Sequence, residues 1–266
     1  MTLTTTLILE IGLVGLIAGV IGGLAGIGGS MVMLPALHFL LGEPRHSTHH
    51  MYMAAAMTVN AAVSFPAALR HHRSGAVRFD LLPPLLLSTA VFIVIGVLSG
   101  NLFTGLTLRY ALAIFIGAYC VHNTLRLIQG PRPPAPELER TGRTRLALSG
   151  AATGFVGGVL GLGGGVLLVP MLQVLCNIRL RQAIATSSAV ICMTAIVGAG
   201  VKLSTLGREG ESARDALLIA AALAPTAIVG GVIGATLTHR LPVRAVRAIV
   251  TVLLLAAAAR LAGFWA

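Results

Sequence analysis

Apolar residues run along this chain in blocks longer than a globular helix or strand needs, and polar residues gather in short gaps between them. As one helix, the first block, 7–41, would be roughly 50 Å long, too long for one straight crossing of about 30 Å of hydrocarbon. Glycines interrupt it, so the pattern predicts one helix to about Leu24 and a second from about Ser30. A turn at Gly42-Glu43-Pro44-Arg45 follows, then spans over 48–69, 81–102 and 106–128. Gly130-Pro131-Arg132-Pro133-Pro134-Ala135-Pro136-Glu137 is a proline-rich, charged linker. Beyond it the pattern restarts, with a broken stretch over 146–175 and spans over 182–203, 216–237 and 243–264.

The restart is a repeat. Gly15, Gly19, Gly22, Gly23, Gly26, Gly28, Gly29 and Pro35 map at one constant offset onto Gly150, Gly154, Gly157, Gly158, Gly161, Gly163, Gly164 and Pro170. Each copy places a glycine phrase inside an apolar stretch, where glycine costs a helix about 1 kcal/mol per residue. The expected fold is therefore an all-α polytopic membrane protein with two internal repeats. Each has a Gly-broken first transmembrane helix followed by three transmembrane helices. Repeat 1 takes 1–129, a cytoplasmic linker 130–145, and repeat 2 takes 146–266. Matched interruptions in duplicated halves are the sequence mark of a transporter binding site.

Composition agrees with the pattern. The chain is 56% hydrophobic and 10% charged, against about 25% charged in an average soluble domain. Its formal charge of +11 lies in loops between apolar spans, which suits topology determinants and lipid headgroups better than nucleic acid. Met1 to Glu10 holds no Lys or Arg, so the first apolar stretch reads as retained and not as a cleaved leader. Cys120, Cys176 and Cys192 are scattered through apolar sequence and read as small buried hydrophobes.

Orientation depends on how the broken stretches are counted. Crossing once each, they give parallel repeats and a 12 to 7 split of Lys and Arg between the two sides. Crossing twice each, they give inverted repeats, both termini outside, and a split of 13 inside to 6 outside. The excess length of the stretches and the acidic loop around Glu209 and Glu211 favour inversion. In both cases 70–80 and 129–145 are cytoplasmic.

In lipid every backbone polar group needs an internal partner, so a broken helix belongs where it is buried in protein or lines a polar cavity. A second half-helix starting at Gly29-Ser30 or at Gly164-Gly165 would present free N–H groups and a positive dipole end to an anion. The candidate substrate-binding residues are therefore Gly26, Gly28, Gly29 and Ser30 in the first copy, and Gly161, Gly163, Gly164 and Gly165 in the second. Thr58, Asn60, Thr186, Ser187 and Ser188 on the following spans could add neutral donors. The glycines spaced by four at 15–23 and 150–158 read instead as helix-packing positions. No nucleophile–base pair suggests an enzyme, and the glycine spacing matches neither a dinucleotide fingerprint nor a P-loop. Neither cofactor nor resident metal is expected.

A competing reading uses His46, His49 and His50. Their spacing puts them on one helical face, where they could serve a divalent-metal permease; without an acid or thiolate to complete them, they read as interface histidines. His71 and His72 read as solvated loop residues. Glu10, Arg109, Lys202 and Arg247 lie near span ends, from which they could snorkel to water.

The doubled phrase Gly22–Pro35 and Gly157–Pro170, with the basic turn Arg70-His71-His72-Arg73-Ser74-Gly75-Ala76-Val77, resembles the TauE/SafE sulfite exporter family, also called TSUP. The resemblance extends over nearly the whole chain. It implies a multi-pass protein of the bacterial inner membrane that exports small sulfur-containing anions such as sulfite, sulfoacetate or thiosulfate by secondary transport. The partners it implies are the anion and the lipid bilayer, with a homodimer left open and no nucleic acid.

Overall fold

The computed structural model describes residues 5–42, 48–128 and 139–242, with 245, 248, 249, 251, 252, 254 and 255. The described residues form helices and no strand. In the first half these are α1 (Thr5–Ala25), α2 (Ser30–Leu41), α3 (Thr48–Arg73), α4 (Leu82–Gly100) and α5 (Gly105–Ile128). After the linker come α6 (Arg143–Val159), α7 (Leu168–Val174), α8 (Leu180–Thr205) and α9 (Ala213–Arg240). Among the described residues six helical segments, those of α1, α3, α4, α5, α8 and α9, are long and apolar enough to cross a membrane. The shorter α2, α6 and α7 belong to the glycine-broken stretches. The expected last span, 243–264, lies largely outside the described residues; 130–138 of the linker does so entirely.

Both broken stretches turn back on themselves. A Cβ added at Gly22 would lie 2.7 Å from the carbonyl carbon of Gly28 and 2.8 Å from the nitrogen of Gly29. One added at Gly157 would strike the backbone of Gly164. Each phrase therefore folds against the helix it has just left, one turn before that helix ends. α2 starts at Ser30, as the pattern predicts. The second copy departs from expectation: 160–167 are turns, and helix resumes only at Leu168. Gly164 and Gly165 are therefore not a helix N-terminus, and the seven-residue α7 presents no dipole end to them. Pro170 falls in the first turn of α7, where a missing N–H costs nothing, whereas Pro35 sits deeper in α2 and leaves the Met31 carbonyl without its helical donor.

Small residues bring the helices together. Gly15, Gly19 and Gly23 of α1 lie against Leu223, Ala227 and Gly231 of α9, while Gly230 and Gly234 return the contact. Gly150, Gly154 and Gly158 of α6 meet α4 at Leu85, Thr89 and Ile93, and Gly96 and Gly100 of α4 meet Phe155 and Val159. Hydrocarbon solvates apolar side chains as well as a neighbouring helix does, so close van der Waals fit must hold such pairs. Gly154→Val should therefore lower the melting temperature in detergent by an amount equivalent to about 1–3 kcal/mol, since its Cβ would lie 2.5 Å from the Thr89 carbonyl oxygen. Gly117→Val, whose Cβ would meet nothing within 4 Å, should leave it unchanged.

These contacts also fix directions. α1 and α9 run parallel, as do α4 and α6. α3 runs with α9, since Val63 lies by Gly231 and His71 by His239. α3 runs against α8: His50 at its start meets Lys202, and Arg78 beyond its end meets Thr186. α8 runs with α4, pairing Ile93 with Gly198 and Asn101 with Thr205. So α1, α3 and α9 point one way and α4, α6 and α8 the other. α3 and α8 form the buried centre, and side chains such as Leu9, Leu87 and Ile114 face outward, where lipid would be.

Candidate functional site

The two glycine phrases meet at the centre of the molecule, and every residue from Ile21 to Met31 and from Leu160 to Val166 is buried. Asn60, fully buried in α3, joins them. Its Oδ1 accepts the Gly29 N–H at 2.7 Å. Its Nδ2 donates to Ser30 Oγ at 2.5 Å and to the Leu162 carbonyl at 3.2 Å, so one carboxamide bonds both copies. Ser187, from α8, does the same with its hydroxyl, donating to the Gly26 carbonyl at 2.7 Å and the Gly165 carbonyl at 3.3 Å.

Glycine is demanded most clearly at Gly28 and Gly163. Both lie in the left-handed region, with φ +75° and +69°, where an L side chain costs about 1–2 kcal/mol. A Cβ at either position would stand 2.9 Å from Asn60 Nδ2, so the two copies press on the same carboxamide.

The remaining candidates divide. Gly26 packs against the Ile184 backbone, Gly161 against the Met53 side chain, and Gly165 against Ile191 and the Ile27 backbone. Gly164 faces Thr89 and Thr194. Three of the hydroxyl candidates are used elsewhere. Thr58 and Ser188 bond back to their own helices, at Ala54 and Ile184, and Thr186 accepts the Arg78 backbone N–H at 3.2 Å. Thr194, absent from the candidates, bonds back to the Val190 carbonyl at 3.0 Å and also reaches the Gly163 carbonyl at 3.4 Å. Its only signal is position, since it follows the second phrase at about the separation by which Asn60 follows the first.

The polar groups at the two ends of the bundle differ from expectation. His71 is buried, not solvated. Its Nε2 donates to the Gly23 carbonyl at 3.3 Å and its Nδ1 pairs with His239 at 3.0 Å, while His72 is exposed as expected. Lys202 does not snorkel: it is fully buried between His50 and Asn101. His49 and His50 are buried too, and they serve different partners. His49 Nδ1 stands 2.6 Å from His38 Nε2, with the rings stacked 4.8 Å apart, and His50 turns to Lys202 and the Phe103 carbonyl. His46 lies outside the described residues. Among the described ones no three His, Cys, Asp or Glu are placed to hold a metal, so the divalent-metal reading loses its support. On the loop before α4, Asp80, through side-chain hydrogen bonds at 2.9 and 2.8 Å, and then Glu139 raise the pKa of Arg78 above the usual guanidinium value. Arg78 thereby ties that loop to the segment entering α6.

Comparison with known proteins decides the family. The sequence profile described as "Sulfite exporter TauE/SafE" matches residues 11–261. The chain belongs to the TauE/SafE sulfite exporter family. It is 27% identical to the "Probable membrane transporter protein MamO" of Magnetospirillum gryphiswaldense over 91% of this chain and 43% of that protein. It is 25% identical to the protein of the same name in Paramagnetospirillum magneticum, over 89% of this chain and 41% of that one. The chain thus spans about two fifths of the length of these two relatives. The "Probable membrane transporter protein YunE" of Bacillus subtilis is 23% identical, with 91% of this chain aligned to 92% of that one. No solved structure matches. This membership agrees with the six described helices long enough to cross a membrane, and the chain is a multi-pass membrane protein.

Proposed function

We propose that this TauE/SafE protein is a secondary transporter that exports a small sulfur-containing anion such as sulfite, sulfoacetate or thiosulfate, bound where the two glycine phrases meet. The observation that carries this reading is the convergence of both phrases on Asn60 and Ser187, in a buried region lined by backbone amides and neutral side chains. Such a region can surround an oxyanion with N–H and O–H donors and needs no fixed countercharge. The anion would take the place of the bonds that now close the phrases on each other: Asn60 Nδ2 would leave the Leu162 carbonyl and Ser30 Oγ and donate to an anion oxygen. Gly26, Gly28, Gly29 and Ser30 would line one side, and Gly161, Gly163, Gly164 and Gly165 the other. Ser187 would stand between them, while Thr58, Thr186 and Ser188, bonded elsewhere, would contribute least.

Alternating access would rock one inverted repeat, 1–129, against the other, 146–266. Supporting inversion, each helix of the first half runs opposite to its counterpart in the second, α1 to α6, α3 to α8 and α4 to α9, and the first helix of each half packs on the later helix of the other half, α1 on α9 and α6 on α4. The face carrying Arg73, Arg78, Arg143, Arg145 and Arg181 would be cytoplasmic by the positive-inside rule. Purified protein in liposomes should move radiolabelled sulfite, thiosulfate or sulfoacetate above protein-free vesicles, and at least one of these should compete with the others. A panel in which none moves or competes would overturn the assignment.

A further inference from the structure

The chain uses arginine for eighteen of its nineteen basic residues; Lys202 is its single lysine. That lysine is fully buried. Its Nζ donates to Asn101 Oδ1 at 2.5 Å and to His50 Nδ1 at 2.6 Å, both uncharged acceptors. Because Nδ1 accepts, the proton of a neutral His50 sits on Nε2, which donates to the Phe103 carbonyl at 3.2 Å. The same Nε2 stands 4.0 Å from Glu209 Oε2, on the turn that follows α8, and that side chain is 22% exposed. A buried amine, an imidazole and a water-accessible carboxylate thus lie in sequence from inside to outside.

We propose that Lys202 is the site where this transporter exchanges the proton that couples anion movement to a proton gradient, with His50 as relay and Glu209 as the contact with water. The proposal rests on the transport reading above and adds its coupling ion. Guanidinium stays protonated throughout the physiological range, whereas an amine can release its proton. An amine at this one buried position, in a chain that otherwise uses arginine, is what proton exchange requires.

The transfer balances. A proton passes from Lys202 Nζ to His50 Nδ1 while His50 Nε2 releases its own to Glu209 and on to water. Lys202 is left as a neutral amine, His50 neutral with its proton on the other nitrogen, and one proton has left the protein; the reverse sequence reloads the amine. The ionisable groups facing the site are His49 beside His50 on α3, His38 on α2, Arg109 on α5 and Glu209 itself. From α4 the neighbour is the uncharged Asn101.

Two measurements test this. In liposomes, an imposed pH gradient, tried in each orientation, should drive sulfite accumulation by the wild type in one of them. The expected drive is about tenfold for each unit of gradient if one proton moves with each anion. Lys202→Arg, which keeps the charge and cannot release it, should retain measurable sulfite counterflow and lose the driven accumulation; Lys202→Met should lose it as well. Accumulation that persists in Lys202→Arg, or that no gradient drives in a wild type capable of counterflow, would overturn the proposal. The second measurement needs no transport. In protein labelled with 13C,15N-lysine, the single lysine resonance should titrate across the neutral range, and His50→Gln should move its midpoint. A resonance that does not titrate, or that is indifferent to His50→Gln, would also overturn it. If the wild type moves none of sulfite, thiosulfate and sulfoacetate, the transport reading fails separately and the lysine resonance alone decides.

Discussion

Asn60→Leu is expected to destabilise the protein by about 2–4 kcal/mol and to reduce transport below about a tenth of wild type. The carboxamide makes three hydrogen bonds, and leucine makes none of them. The Gly29 N–H and the Leu162 carbonyl would then remain buried without a partner, at about 1–3 kcal/mol each in general and toward the lower end inside a bilayer. Asn60→Asp tests the effect of charge at nearly constant shape. An aspartate still accepts from the Gly29 N–H and can accept from Ser30, but it loses the donor to the Leu162 carbonyl and buries a charge, so the melting temperature should fall at least as far as in Asn60→Leu. Its negative charge would stand where the anion is proposed to bind, so transport should fall at least as far. Melting curves in detergent and counterflow in liposomes measure the two effects. An Asn60→Asp protein that transports as well as it folds would remove the anion from this position.

The second large effect is expected at Gly28 and Gly163. Alanine at either pays the left-handed cost of about 1–2 kcal/mol and pushes a methyl group to 2.9 Å from Asn60 Nδ2. The combined cost should be about 2–4 kcal/mol for each variant, with transport lost. Because both methyls displace the same carboxamide, the double variant should cost less than the sum of the singles, by about 0.5–3 kcal/mol. Strict additivity in a melting-temperature cycle would mean that the two phrases do not share Asn60.

Much of this arrangement is legible in the sequence, and the reason is the solvent. Hydrocarbon forces long apolar runs, so most helix limits follow from composition, and α2 begins at Ser30 as the pattern predicts. The spaced glycines at 15–23 and 150–158 read as packing positions and do pack, because a glycine every fourth residue leaves one reading open on a helix. The second break was harder to read. Its extra glycine, Gly165, where the first copy has Ser30, removes a helix start and lets turns run on to Leu168.

The buried polar residues were harder still. Lys202 and His71 lie near span ends in the linear sequence, where a solvated position is the usual expectation. They are buried because α8 and α3 occupy the centre of the bundle, each covered to its end by neighbours, Lys202 by His50 and Asn101, His71 by His239 and the end of α1. Tertiary enclosure of that kind leaves no periodic mark. The same holds for Thr58, Thr186 and Ser188: residue type suggested donors, and only the packing shows which hydroxyls are already bonded.

An anion is proposed to bind where the glycine phrases meet. Calorimetric titration of sulfite into purified protein tests it most directly, using wild type, Gly28→Ala, Gly163→Ala and Gly154→Ala. Gly154→Ala disturbs a helix contact on α4 away from Asn60 and serves as the control for lost stability. Sulfite should bind the wild type and Gly154→Ala with similar affinity, and binding should weaken at least tenfold in both Gly28→Ala and Gly163→Ala. Undiminished binding in those two variants, or a loss as large in Gly154→Ala, would contradict it.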